Sequence, residues 1–196
     1  MMKIAVYGGS FDPPHKGHRL LADNLADFCG VEKVLIIPTA MSPFKQSSGA
    51  SPEDRLSMCE LAFNSPLFEV SDVEISRGGK SYTVDTLRQV KKLYPESDLY
   101  LFMGDDMLLS LDRWYCYEEI LSLCTVVAAC RTEKLDKLQE MRDYVQARLG
   151  TDKVKICTSV PVEVSSTLVR EHLRQGDFFG LEESVCEYIR ARGLYK

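Results

Sequence analysis

Lys3-Ile4-Ala5-Val6-Tyr7-Gly8-Gly9-Ser10-Phe11-Asp12-Pro13-Pro14-His15-Lys16-Gly17-His18 is the stretch on which the fold turns. Residues 3–7 read as a buried strand and Gly8-Gly9-Ser10 as a tight turn. The following residues enter a helix with Leu21, Leu25 and Phe28 on its apolar face at i, i+4 and i+7. The rest of the chain repeats this alternation. Strands are expected at residues 33–37, 68–75, 98–103, 125–130 and 153–157. One helix is announced by Ser51 as N-cap, Pro52 at its first position and Asp54 at the capping-box position, with Leu56, Cys59, Leu61 and Phe63 facing inward. Others are expected at about 83–94, 118–123, 134–149, 166–174 and 181–192. Strands alternating with helices of this length specify an α/β fold, a doubly wound parallel sheet with helices on both faces and a helical C-terminal end.

With 196 residues, no linker and no internal repeat, the chain is expected to form a single domain over residues 1–196. Hydrophobic residues at 45% and charged residues at 27% are ordinary globular usage, which excludes a disordered chain. The net charge of -5 suits a nucleic acid poorly and leaves small anions as partners. Apolar runs such as 34–37 and 126–130 are far shorter than the roughly 20 residues a membrane-spanning helix needs. Residues 1–7 carry no basic and apolar signal region, so a cytoplasmic, non-membrane protein is expected. Seven cysteines are odd in number and form no C-x-x-C pair; they read as reduced core thiols rather than zinc ligands or disulfides.

In open α/β sheets ligands bind beyond the carboxyl ends of the strands. Residues 8–18 lie at such an end and hold two of the three histidines. At i and i+3 of a helix start, His15 and His18 can face one side, and Gly17 lets an anion approach the backbone. Helix N-terminal amides and imidazole N–H groups together suit phosphate. A zinc site on His15, His18 and Asp12 is disfavoured, because the zinc-protease pattern needs histidines at i and i+4 with a glutamate between. A dinucleotide turn would show G-x-G-x-x-G, which is absent. The remaining alternative is a plain Gly-Gly turn with two surface histidines. A second phosphate element is Ser165-Ser166-Thr167 at a helix start, with Arg170 four residues beyond Ser166 on the same face. By itself it reads equally well as a serine N-cap and a solvated arginine. Gly79-Lys80-Ser81 imitates the end of a Walker A loop, but the first glycine would fall at Glu74, so the cradle is incomplete.

The run Gly9-Ser10-Phe11-Asp12-Pro13 followed by His15-Lys16-Gly17-His18 resembles the signature of the α/β nucleotidyltransferase superfamily, G-[ST]-F-D-P with His-x-Gly-His. Ser165-Ser166-Thr167 with Arg170 is similar to its second signature, in the form found in nicotinate-nucleotide adenylyltransferases. Ser81-Tyr82-Thr83-Val84-Asp85-Thr86-Leu87 and the run from Gly104 and Asp106 to Leu111 and Trp114 resemble that narrower family too, so the matches span nearly the whole chain. The resemblance implies a Rossmann-like fold and adenylyl transfer from ATP to nicotinate mononucleotide. It also implies a magnesium ion held mainly by the ATP phosphates, with no protein metal ligand.

For the site, the resemblance implies His15, His18 and Arg170 as catalytic residues. It implies Gly8, Gly9, Ser10, Phe11, Gly104, Asp106, Arg131, Ser165, Ser166 and Thr167 at ATP, and Lys45, Tyr82, Thr83, Trp114 and Tyr115 at the pyridine nucleotide. Two departures stand out: Ser42-Pro43-Phe44-Lys45 replaces a P-P-H-K run, and Tyr117 stands where a second tryptophan is common. Residues 39–50, rich in Ser with Pro43 and Gly49, read as either a closing lid or a surface loop. Residues 81–84 contain no acidic side chain to accept from an amide, so the acid form of the pyridine nucleotide is expected to be preferred by at least about tenfold. Phosphopantetheine adenylyltransferases, cytidylyltransferases and a non-catalytic nucleotide sensor on the same fold are the competing readings. Oligomeric state is left open.

Overall fold

The computed structural model describes residues 1–41, 49–130, 132–158 and 164–196. Among them six parallel strands form one sheet in the order β3-β2-β1-β4-β5-β6. The strands are β1 (Lys3–Gly9), β2 (Lys33–Pro38), β3 (Phe68–Val70), β4 (Asp98–Met103), β5 (Thr125–Cys130) and β6 (Val154–Thr158). The helices are α1 (Lys16–Cys29), α2 (Pro52–Ala62), α3 (Val73–Arg77), α4 (Thr83–Leu93), α5 (Asp105–Leu108), α6 (Tyr117–Leu123), α7 (Leu135–Leu149), α8 (Ser166–Arg174) and α9 (Glu183–Arg192). None is long and apolar enough to cross a membrane.

Period-two alternation sorts the strands' side chains onto two cores. Ala5, Tyr7, Val34, Ile36, Tyr100, Phe102, Val127 and Ala129 point to one face, where they meet Leu25, Met58, Val169 and Ile189 from α1, α2, α8 and α9. Ile4, Val6, Leu35, Ile37, Leu99, Leu101, Val126 and Ala128 point to the other, against Leu87, Ile120 and Leu138 from α4, α6 and α7. Both faces are covered, which is why the central strands read as continuous apolar runs. Cys59, Cys124, Cys130, Cys157 and Cys186 are buried and all seven cysteines are unbridged.

Three expectations need correcting. Phe28 lies 51% exposed, and α1 buries Ala22, Leu25 and Ala26 instead, a narrower stripe of smaller residues set close to the sheet. In α2 Cys59 and, just past the helix end, Phe63 are buried as expected, but Leu56 and Leu61 are only half-buried; Asp54, Arg55, Met58 and Ala62 take the buried positions, because Arg55 engages the loops after β1 and β2 and Asp54 engages Tyr188 and Arg192 of α9. The strand expected over residues 68–75 ends at Val70, and Val73–Arg77 is a short helix. Its alternation loses phase between Val70 and Val73, so the later apolar residues belong to a different element. Ser51 caps α2 as expected, its Oγ accepting from the Asp54 N–H at 3.0 Å.

The chain builds β1, β2 and β3 outward in one direction, then returns to set β4 against the other side of β1. The topological switch point therefore falls between the carboxyl ends of β1 and β4, where a crevice opens.

Candidate active site

A cavity of about 260 Å³ occupies that crevice, bounded by the glycines that end β1, by Met103 at the end of β4 and Gly104 after it, and by Ser166 at the start of α8. Its phosphate-like end is made by the β1–α1 connection. Phe11 takes a left-handed φ of 46° and is fully buried, its ring edge-on to Tyr7 at 5.4 Å and to His18 at 5.0 Å. Gly9 lies beneath it, and a Cβ there would press on the Phe11 ring at 3.2 Å.

His15 and His18 cap α1 reciprocally. The His18 N–H donates to His15 Nδ1 at 3.3 Å, and the His15 N–H donates to His18 Nδ1 at 3.2 Å. The rings stack with centroids 3.6 Å apart. Because both Nδ1 atoms accept from backbone, each neutral ring carries its proton on Nε2. The i, i+3 spacing thus brings the two imidazoles together, by an arrangement in which each ring fixes the other's tautomer. Burial, followed by the nearby positive charge of Arg170, pushes His15 down to about 4, so it is a neutral donor at pH 7.

Arg170 reaches the same loop from α8, its Nη1 donating to the Asp12 carbonyl at 2.8 Å. Ser165 is the N-cap of α8, accepting from the Leu168 N–H at 3.2 Å, so its hydroxyl serves the helix. Ser166 lines the cavity and Thr167 is exposed. Gly8, Gly9, Ser10, Phe11, His18 and Gly104 also line it. Asp106 stands apart, with a side chain 74% exposed and an ion pair to Lys134 Nζ at 2.7 Å. Arg131 and Lys45 lie outside the described residues, as does most of the stretch expected to form a lid or loop.

At the opposite end the wall comes from the turn before α4 and from Trp114. Thr83 and Trp114 line the main cavity and, with Ser81, Tyr82, Arg113 and Tyr115, a second cavity of about 300 Å³ that abuts it. The rings of Tyr82 and Tyr115 lie 4.9 Å apart. The turn is stitched to the segment after β2: Ser81 N–H donates to the Met41 carbonyl at 3.0 Å, and Ala40 N–H to Ser81 Oγ at 3.0 Å. Gly79-Lys80-Ser81 thus serves as an edge of sheet-like pairing, with Met41 bridged to Lys80.

Three side chains matter here in ways the sequence reading did not anticipate. Arg55 is buried and donates to the carbonyls of Ser10 at 2.7 Å and Thr39 at 2.6 Å, joining the loops after β1 and β2. Asp12 is buried, with Oδ1 accepting from Ala50 N–H at 3.1 Å and from the Tyr195 hydroxyl at 2.6 Å. Glu74, from α3, is 4% exposed and forms part of the main cavity wall. Residues 81–84 hold no acid, yet an acid from the preceding helix stands beside them. Only the lost alternation after Val70 could have signalled that Glu74 leaves the sheet.

Among the described residues no group of three or more His, Cys, Asp or Glu is arranged to hold a metal ion. The phosphate-like end instead presents N–H donors, a set that fits phosphate oxygens.

Residues 6–172 match the cytidylyltransferase-like family. A Dehalococcoides mccartyi protein named "Probable nicotinate-nucleotide adenylyltransferase" is 39% identical, covering 99% of this chain and 97% of that protein. An Oceanobacillus iheyensis protein of the same name is 34% identical over 100% of this chain and 97% of its own. The fold is similar to that of Plasmodium falciparum nicotinic acid mononucleotide adenylyltransferase, solved in complex with NaAD and, separately, with APC. In the APC complex the TM-score is 0.78 at 18% identity, covering 100% of this chain and 98% of that one. With sequence similarity running nearly end to end and the paired histidines seated at the switch point, the chain belongs to the nicotinate-nucleotide adenylyltransferases of the cytidylyltransferase-like family.

Proposed function

We propose that the chain, acting as one nucleotidyltransferase domain over residues 1–196, transfers the adenylyl group of ATP to nicotinate mononucleotide. The observation that carries this is the reciprocal His15–His18 cap, which leaves two imidazoles with N–H on Nε2 at a helix start beside the cavity. An oxygen of the mononucleotide phosphate attacks the α-phosphorus, a P–O bond forms, and the bond to the β-phosphate oxygen breaks as pyrophosphate leaves. The attacking phosphate is already ionised at neutral pH, so no side chain needs to remove a proton. What the protein supplies is alignment of two anions and relief of charge in the transition state.

In this reading His18 donates to the α-phosphate region and His15, neutral, to the triphosphate, while Arg170 adds fixed positive charge. The amides of residues 8–11 and Ser166 receive phosphate oxygens, and Gly104 leaves room for the adenosine. Thr83 and Trp114, with Tyr82 and Tyr115 behind them, take the pyridine nucleotide, Trp114 offering a stacking face. Lys45, Arg131, Asp106, Ser165 and Thr167 keep the roles the family resemblance implies for them as part of the proposal. Magnesium travels with ATP, held by its phosphates and water, and supplies further charge neutralisation. The N–H-rich lining supports an ion carried by the substrate rather than by the chain. Seven unbridged cysteines support a reducing, cytoplasmic setting.

Pyrophosphate release from ATP, magnesium and nicotinate mononucleotide tests the reading, with CTP and phosphopantetheine as comparison substrates. Release only with a comparison substrate, or ATP binding without release, would replace it with a superfamily rival or a nucleotide sensor.

A further inference from the structure

Glu74 presents an imbalance that the transfer reaction does not use. Its Oε1 accepts from the Thr86 hydroxyl at 2.5 Å, and Thr86 Oγ1 in turn accepts from Arg77 Nη2 at 3.1 Å. Among the described residues its Oε2 is buried with no hydrogen-bond partner, although the residue forms part of the cavity wall beside Ser81, Thr83 and Trp114. A carboxyl whose task was only to fix α3 against α4 would be satisfied through Oε1. The second oxygen, dehydrated at a ligand cavity, marks a group waiting for a partner.

We propose that Glu74 is a specificity-determining residue of the pyridine pocket: holding a proton on Oε2, its carboxyl donates to the ring carboxylate of nicotinate mononucleotide, and when ionised it accepts from the ring amide of nicotinamide mononucleotide. This rests on the reading of the cavity as the pyridine-nucleotide site. A neutral carboxyl accounts for both oxygens, since Oε1 accepts from Thr86 while Oε2 keeps a donor. Burial pushes the Glu74 carboxyl upward, opposed by the hydroxyls of Ser81 and Thr86 and by the positive charges of Arg77 on its own helix and Arg55 from α2. The two mononucleotides therefore compete through one proton. The acid form binds the protonated enzyme, so its advantage is full below the raised pKa of Glu74 and is lost as pH rises through it.

The experiment is the ratio of kcat/KM for nicotinate over nicotinamide mononucleotide, with magnesium and saturating ATP, from about pH 5 to pH 9, in the wild type and in Glu74→Gln. Ionisation of the mononucleotide phosphate is common to both substrates and cancels in the ratio. In the wild type the ratio should fall with rising pH, by at most about tenfold per unit. In Glu74→Gln it should be independent of pH. Should that variant fail to fold, calorimetry on the wild type in two buffers of different ionisation heat, at a pH where the wild-type ratio is falling, reads the same proton, with uptake on binding the acid form and release on binding the amide form. A flat wild-type ratio, an equal slope in Glu74→Gln, or equal proton uptake with both ligands overturns the role of Glu74 and leaves adenylyl transfer standing. No pyrophosphate release with either mononucleotide overturns the proposed function and this inference with it.

Discussion

One end of the cavity comes from a single run of chain, residues 8–18, and the other is assembled from Glu74, Ser81, Thr83, Thr86 and Trp114, on separate elements. At the first end the work falls to backbone and to side chains locked by backbone. The histidines hold each other's amides, Arg170 holds a carbonyl, and Phe11 is buried beneath His18. At the second end side chains face the cavity directly, Trp114 is half-buried and Tyr115 is 58% exposed. A triphosphate is the same in every enzyme that uses ATP, and a rigid, contiguous cradle suits it. The ring that accepts the adenylyl group is what distinguishes one relative from another, and a wall of replaceable side chains suits that.

The largest expected effect lies at the rigid end. His18→Ala should lower turnover by about 10²- to 10³-fold, with a smaller change in ATP affinity, in steady-state pyrophosphate release. Equal losses in turnover and in ATP affinity would make the histidine a ground-state binder, and the contrast between the ends would weaken. Next comes Arg55→Met. Leaving the part-buried carbonyls of Ser10 and Thr39 without their donor should cost on the order of 2 kcal/mol in urea unfolding, a loss expected where one buried guanidinium joins two loops.

The His15 proton offers a third measure of rigidity. The unfolded chain binds a proton at this residue below about pH 6.5, whereas the folded chain resists until about 4. Stability from this source is therefore full above 6.5, falls as the pH drops, and levels off below 4, a loss of at most about 3 kcal/mol. Urea midpoints across that range should fall in the wild type and fall less in His15→Gln. The smallest effect is expected at the adaptable end. Trp114→Ala should raise KM for the mononucleotide by about tenfold with turnover and KM for ATP little changed, because a stacking face binds ground and transition states alike.

These differences also explain what could be read from the chain. The β1–α1 unit was legible because its signal is contiguous: an apolar strand, two glycines and two histidines at i, i+3 all constrain the same backbone. Strand β5 was located to the residue, since a run buried on both sides admits little shift of boundary. Glu74 was not legible, because the residues that surround it come from α4 and from the β4–α6 connection, and its own segment imitates a strand. Arg55 and Asp12 escaped for a related reason: a buried charge is recognisable only when its partners are, and those partners are carbonyls and a hydroxyl far along the chain. Asp106, a conspicuous acid after β4, turned out to face Lys134 at the surface.

The bond from the Tyr195 hydroxyl to Asp12 Oδ1 joins residues 183 positions apart. A ribosome delivers the chain in order, so the strand and glycine turn that will cradle nucleotide emerge early, while the hydroxyl that steadies Asp12 arrives only after α9. Arg170, the other anchor of that loop, also emerges late. A nascent chain can thus pair its early strands and bury much of Phe11 while its nucleotide cradle is still untied. Competence to bind ATP should appear abruptly once Tyr195 has emerged rather than growing in proportion to the length made.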